Sequence, residues 1–297
     1  MRLGATGYLD AGNWTVGLNE PIDEIEEKAS AYGLSAIRVP QEVYDADASD
    51  EELIEYAERL RDAGFRICET GYVRSLIHAD KDVRQERISE IREILRKADL
   101  MEVDWVCTVI GSRATFGDYP MLAPHSYNYT EDCREEIKQT CRQIFDGLNL
   151  DHTKFGLEPF PNSFFFEPEE IRAFFDDMDI PHLGFHCDIA NMVDHRNYFH
   201  TTELIEETFE LLGDEIIGIH LSEIRWDENH LHIKFDEPPE PGTGIMDFHT
   251  LLQKIDRELP KEQCCLVQHQ PTEEQYAKAF PRIHTIADDA GAEIKTL

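Results

Sequence analysis

The sequence predicts an α/β chain folded as a single-domain (β/α)8 TIM barrel over residues 1–297. Eight short apolar runs alternate with amphipathic segments of helical spacing from one end of the chain to the other. The runs start roughly 30 to 50 residues apart, enough for a strand, a crossover helix and two loops. The main rival, a doubly wound open sheet, would place a GxGxxG or GxxxxGKS/T loop after an early strand, and none is present.

The strand candidates, in order, are Arg2–Thr6, Ala36–Val39, Arg66–Thr70, Trp105–Ile110, Phe155–Glu158, Leu183–Asp188, Ile216–Leu221 and Cys264–Gln268. They are apolar on both faces, as parallel strands buried on both sides must be. Between them, Ile88, Ile91, Ile94, Leu95 and Ala98 form one helix face, and Leu204, Thr208, Leu211 and Leu212 another. Ser49 and Asp50 precede EELIEYAERLRDA and Gly64 stops it, while Pro168 opens EEIRAFFDDM. The longest connections follow strands four and seven and contain GDYPMLAPHSYNY and DEPPEPGTG. They leave the C-terminal ends of their strands, where such a barrel builds its binding site.

Charge narrows the partners. Asp and Glu number 61 against 28 Lys and Arg, a formal net charge of -33. That excess repels nucleic acid phosphates and anionic membrane surfaces, so neither is an expected partner. The acids are spread over nearly every helical segment, as in PIDEIEEKASAYG and TTELIEETFELLGDE, rather than gathered on one face for a basic partner. Such self-repulsion is tolerable where salt screens it, so the expected location is a salt-rich cytoplasm. The seven cysteines contain no CxxC pair and sit mostly in strand-like runs, which suits reduced core thiols. MRLGATGYLD has no apolar stretch of the kind a signal peptide needs, and no run is long enough to cross a membrane.

Polar residues fall at the ends of the four late strands: Glu158, Asp188, His220 and Gln268. In a barrel these positions face the mouth. Two carboxylates, an imidazole and an amide carbonyl suit one divalent metal ion, with Mn²⁺, Mg²⁺ or Co²⁺ favoured and Zn²⁺ also accommodated.

The segments GLEP (156–159), HCDIAN (186–191), IHLSEIR (219–225), PGTGIMDFHTLL (241–252) and LVQHQPTEEQYAKA (266–279) resemble the xylose-isomerase-like TIM-barrel superfamily, the sugar isomerase and epimerase group. The resemblance implies that Glu158, Asp188 and His220 bind the metal and that Glu158 also moves a proton. It implies further that Asn191 touches a metal-bound water or a substrate hydroxyl, that Arg225 holds a substrate oxygen, and that Glu223 orients His220 or Arg225. His186, two residues before Asp188 and deeper in the barrel, is expected to be an internal hydrogen-bonding residue near the substrate. Trp14, with Tyr8 and Asn13 after strand one, either walls the sugar site or packs a loop.

The departure is Gln268, where relatives usually carry Glu as fourth ligand and second base. Gln can coordinate through its carbonyl oxygen but cannot accept a proton. A two-base epimerase is thereby disfavoured relative to a one-base isomerase or an inosose-dehydratase-like lyase acting on a small sugar-like molecule. His269 could supply a base only if the strand twists or bulges there. The remaining alternative is a non-catalytic descendant that binds a sugar or a partner protein; a nuclease of the apurinic type is disfavoured by charge. A homo-oligomer stays open. Glu69 lines the mouth or forms an internal ion pair, and Ser112-Arg113 binds a substrate anion or lies at the surface. NSFFFEP (162–168) closes over a ligand or packs on a helix, and His230 with His232 form a metal pair or a plain loop.

Overall fold

A computed structural model of the chain describes residues 1–6, 14–229, 232–234 and 238–297. In chain order its strands are β1 (Arg2–Thr6), β2 (Ala36–Arg38), β3 (Arg66–Gly71), β4 (Trp105–Val109), β5 (Lys154–Glu158), β6 (Leu183–Cys187), β7 (Ile216–Leu221), β8 (Arg225–Asp227), β9 (His232–Lys234) and β10 (Cys264–Gln268). Eight of them form one parallel sheet in the order β1-β10-β7-β6-β5-β4-β3-β2, a nearly closed barrel with helices between the strands. All eight expected strands are present. Val39, Ile110 and Asp188, expected as last strand residues, lie one position beyond the ladders. The expected long excursion after β7 contains a short antiparallel hairpin, β8 with β9.

The register aligns strand ends at the mouth. Thr6 pairs with Gln268, Leu266 with His220, and Val109 with Glu158. Among the described residues no ladder joins β1 to β2. One backbone bond, Ser35 N–H to Leu3 O at 3.0 Å, bridges that seam. A Cβ on Gly4 would collide with Ala36 O across it, so glycine is what lets the two strands approach.

The helices are α1 (Asp23–Tyr32), α2 (Gln41–Asp45), α3 (Asp50–Asp62), α4 (Lys81–Leu100), α5 (Glu131–Phe145), α6 (Pro168–Asp176), α7 (Thr201–Leu212), α8 (Phe248–Glu258) and α9 (Glu273–Ala290). Their ends follow from local chemistry. Ser49 Oγ accepts from Glu52 N–H at 3.2 Å and Glu52 returns a carboxylate to Ser49 N–H at 2.8 Å, a capping box that starts α3. Gly64, at φ +91°, takes the chain out of that helix, and Pro168 stands in the first turn of α6. Phe165 of the NSFFFEP run is fully buried against Phe174 and Phe175 of α6, at ring separations of 5.4 and 6.1 Å. That run packs the helix layer.

Inside the barrel, Trp105 of β4 fills the space beneath the mouth, among Ala36, Cys68, Cys107, Cys264 and Leu266. The indole fits because residue 218 of β7 is glycine: a Cβ there would lie 2.6 Å from Trp105 Cζ2. All seven cysteines are buried free thiols. No described helix is long and apolar enough to cross a membrane.

Candidate metal centre

Glu158 ends β5, Asp188 follows β6 directly and His220 lies near the end of β7, so three neighbouring strands deliver three side chains to one place. His220 Nδ1 is 3.3 Å from Glu158 Oε1 and 3.9 Å from Asp188 Oδ2. One ligand atom from each of the three lies within 4.8 Å of the other two. Asp188 Oδ1 is occupied by the N–H groups of Ala190 and Asn191, at 3.0 and 3.4 Å. These bonds cap the short turn after β6 and leave Oδ2 facing the cluster. Asn191 Nδ2 donates to both Glu158 Oε1 at 3.0 Å and Asp188 Oδ2 at 3.1 Å, bridging the carboxylates. All four residues are buried.

Two adjacent carboxylates out of water call for a compensating cation. Burial and the Glu158 charge push Asp188 up to about 7. Burial is the largest single influence on Glu158 and would raise it, but the hydrogen bond to His220 and the imidazole charges beside it together outweigh burial and hold it low. Burial works against the His220 cation, yet the Glu69 and Glu158 carboxylates raise it to about 10. Protons therefore stand where a divalent ion would otherwise neutralise the site. A donor set of two carboxylates and one imidazole fits such an ion.

Gln268 ends β10 and is buried; its Oε1 accepts a hydrogen bond from Ser222 Oγ at 2.6 Å. The amide carbonyl retains a second lone pair for a metal, but no proton-accepting group stands at this position. Immediately beyond it, His269 adopts a left-handed backbone, φ +56°, so the strand's alternation stops there.

Several sequence expectations fall elsewhere. Glu223 orients neither His220 nor Arg225: its carboxylate accepts five backbone N–H groups, from Ile224, Gly242, Gly244, Ile245 and Met246, at 2.9 to 3.1 Å. The PGTGIM loop wraps around it. Arg225 is exposed at the start of β8, outside the buried cluster. Trp14 is buried in the helix layer, edge-on to Phe280 of α9 at 4.9 Å and to Tyr32 of α1 at 5.5 Å, which is the packing alternative. Tyr8, Asn13 and His230 lie outside the described residues; His232 is exposed on β9. Arg113 is no free anion site, since its guanidinium pairs with Glu136 at 2.6 Å and stacks on Tyr127 at 3.3 Å. His186 is fully buried beside His220, with ring centroids 4.1 Å apart, and neither of its nitrogens has a hydrogen-bond partner among the described residues. Burial, aided by the His220 charge, lowers it to about 4, so it is neutral. The hydrogen-bonding role expected of it is not met.

Glu69 takes the ion-pair alternative. It is buried on β3 with Oε2 only 2.7 Å from His220 Nε2. The sequence signal was a lone acid inside an apolar strand, which folding tolerates only when paired.

A family model described as xylose isomerase-like TIM barrel matches residues 27–288. The chain belongs to the xylose isomerase-like TIM barrel family. No curated protein sequence matches it. Among solved structures, a D-tagatose 3-epimerase-like protein superposes at a TM-score of 0.67 with 17% identity, covering 98% of each chain. A family member from Mycobacterium smegmatis in complex with magnesium gives 0.65 at 15% identity, over 96% of this chain and 100% of the other. Endonuclease IV from Thermus thermophilus gives 0.67 at 14% identity, over 97% and 100%. At these identities the superpositions speak for the fold alone, and a fold does not by itself fix a function.

Proposed function

We propose that this family member is a divalent-metal-dependent isomerase or epimerase-like enzyme acting on a small sugar or keto-sugar, with Glu158, Asp188 and His220 as the metal ligands. The convergence of these three side chains in a buried site bridged by Asn191 supports the proposal most directly. Mn²⁺, Mg²⁺ or Co²⁺ suits the oxygen-rich set, and Zn²⁺ is a further candidate. A bound divalent ion would act as a Lewis acid toward a substrate carbonyl.

The chain's own groups do the rest. Glu158 is the base for a proton next to that carbonyl, and Asn191 and His220 fix the orientation of its carboxylate. Gln268 holds its place at the mouth without accepting a proton, so one carboxylate serves one face of the substrate. A single base suffices to carry a proton between adjacent carbons, or to begin loss of a hydroxyl from a keto-polyol. The second reading is therefore an inosose-dehydratase-like lyase, favoured by the same amide. A nucleic acid substrate is disfavoured by the net charge of -33.

Metal titration of the wild type and of Gln268→Glu tests this. One equivalent of Mn²⁺, lost in Asp188→Ala, with tighter binding and C–H exchange on both substrate faces in Gln268→Glu, is the expected result. Failure of the wild type to bind Mn²⁺, Co²⁺ or Zn²⁺ would leave a binding protein on the same barrel.

A further inference from the structure

The metal ligand His220 has two ring nitrogens, and the structure gives them different neighbours. Nδ1 faces Glu158 and Asp188, while Nε2 faces Glu69 Oε2 at 2.7 Å. We propose that Glu69 is a positioning residue that reaches across the barrel to hold the proton on His220 Nε2, thereby presenting the Nδ1 lone pair to the metal. The proposal rests on the metal centre described above and adds a residue that binds neither metal nor substrate.

Glu69 is built for that task. It stands on β3, across the barrel from β7, so the contact spans the interior rather than a neighbouring strand. Its carboxylate is fixed on both oxygens: Thr6 Oγ1 donates to Oε1 at 2.6 Å, and Trp105 Nε1–H donates to Oε2 at 3.3 Å. Arg38 Nε lies 4.0 Å from Oε1. Three donors from β1, β4 and β7 thus converge on one carboxylate, and Trp105, seated over Gly218, fills the barrel beside it. A carboxylate accepts and does not donate, so the nitrogen it faces must carry the proton. Nδ1 also faces carboxylates, but those are the metal ligands Glu158 and Asp188, so a cation held between them would displace the Nδ1 proton while Glu69 keeps the one on Nε2. Such carboxylate–imidazole pairs set the tautomer and the ring plane of a metal ligand and raise its basicity. His186 does not compete for the role, since its Nε2 is 4.0 Å from Glu69, beyond hydrogen-bond reach.

Zinc is the probe, being diamagnetic. Zinc affinity and the imidazole ¹⁵N–¹H spectrum of the loaded protein are compared for wild type, Glu69→Gln and Thr6→Val. The wild type is expected to show one metal-bound His220 nitrogen, Nδ1, and a strongly hydrogen-bonded proton on Nε2. In Glu69→Gln that proton signal moves upfield and affinity falls by about 10- to 100-fold. Thr6→Val, which loosens Glu69 without removing its charge, gives a smaller shift in the same direction and covers the case that Glu69→Gln does not fold. Equal affinity and an unmoved proton in both variants overturn the role of Glu69 while leaving the metal centre intact. Zinc on Nε2, or two equivalents with one lost in His186→Ala, also overturns it, because Glu69 would then be a ligand. No zinc in the wild type removes the metal centre and this inference with it.

Discussion

Glu223 and Gly244 exclude any side chain between them: a Cβ on Gly244 would land on the Glu223 carboxylate and 2.6 Å from Ile224 O. The same carboxylate gathers five N–H groups and ties the loop after the β8–β9 hairpin to the end of β7, one turn of chain from His220. Gly244→Ala is expected to cost about 1–3 kcal/mol by overpacking. Glu223→Ala strands those donors and should cost about 3 kcal/mol or more. Urea unfolding of both variants checks the order.

The metal-free chain should lose stability as pH rises. Asp188 is pushed from its ordinary 3.8 up to about 7, and His220 from 6.5 up to about 10. Both folded values exceed the unfolded ones, so the folded state holds extra protons between them. Stability from these two groups is full below the ordinary values and is lost as pH climbs through 7 and then 10. Glu158 and Glu69, held low by His220, act oppositely and only in the acid range. A divalent ion needs the same groups deprotonated, so its affinity should rise with pH. Thermal melts with and without Mn²⁺ at about pH 6 and about pH 9 test both signs: the metal-free midpoint is lower at the higher pH, and the rise caused by Mn²⁺ is larger.

Trp105 and Gly218 predict a steric conflict within the barrel. Gly218→Ala drives a methyl into the indole and should destabilise the fold by about 1–3 kcal/mol. Adding Trp105→Phe, which clears volume opposite the new methyl, should recover part of the loss. A double-mutant cycle in urea measures the coupling, and strict additivity would contradict it.

Salt should stabilise the whole chain. With a net charge of -33, like-charge repulsion dominates the surface even though many acids sit in ion pairs. Raising KCl from about 0.1 M to about 2 M shortens the screening length several-fold, and the melting temperature should climb steadily. A flat or falling curve would count against adaptation to a salty interior.

How far the sequence could be read depended on the range of the interactions. Strand positions were legible because burial on both faces leaves an apolar run, and the ends of α3 and α6 because Ser49, Gly64 and Pro168 act locally. Glu158, Asp188 and His220 were legible because a polar residue closing an apolar strand has one place to point. Glu223 was misjudged because spacing says nothing of a loop some twenty residues later that claims its carboxylate, and the exposed place of Arg225 was not legible because spacing does not show the hairpin that carries it. Trp14 was ambiguous because its partners, Tyr32 and Phe280, are brought together only when α1 and α9 meet. The Glu69–His220 pair, 151 residues apart in the chain, leaves no local trace beyond one acid in an apolar strand.

The junction of β1 with β2, crossed by Ser35 N–H and guarded by Gly4, makes the barrel a clasped ring rather than a welded one. Elsewhere around the circumference, neighbouring strands must break a ladder of backbone bonds to part. Here, among the described residues, the bond from Ser35 N–H to Leu3 O stands in place of a ladder. Thermal breathing should therefore concentrate at this clasp, and Thr6, which steadies Glu69, sits at its upper edge. A fluctuation of the clasp would reach His220 through two hydrogen bonds, linking the mechanical weak point of the wall to the chemistry at its centre.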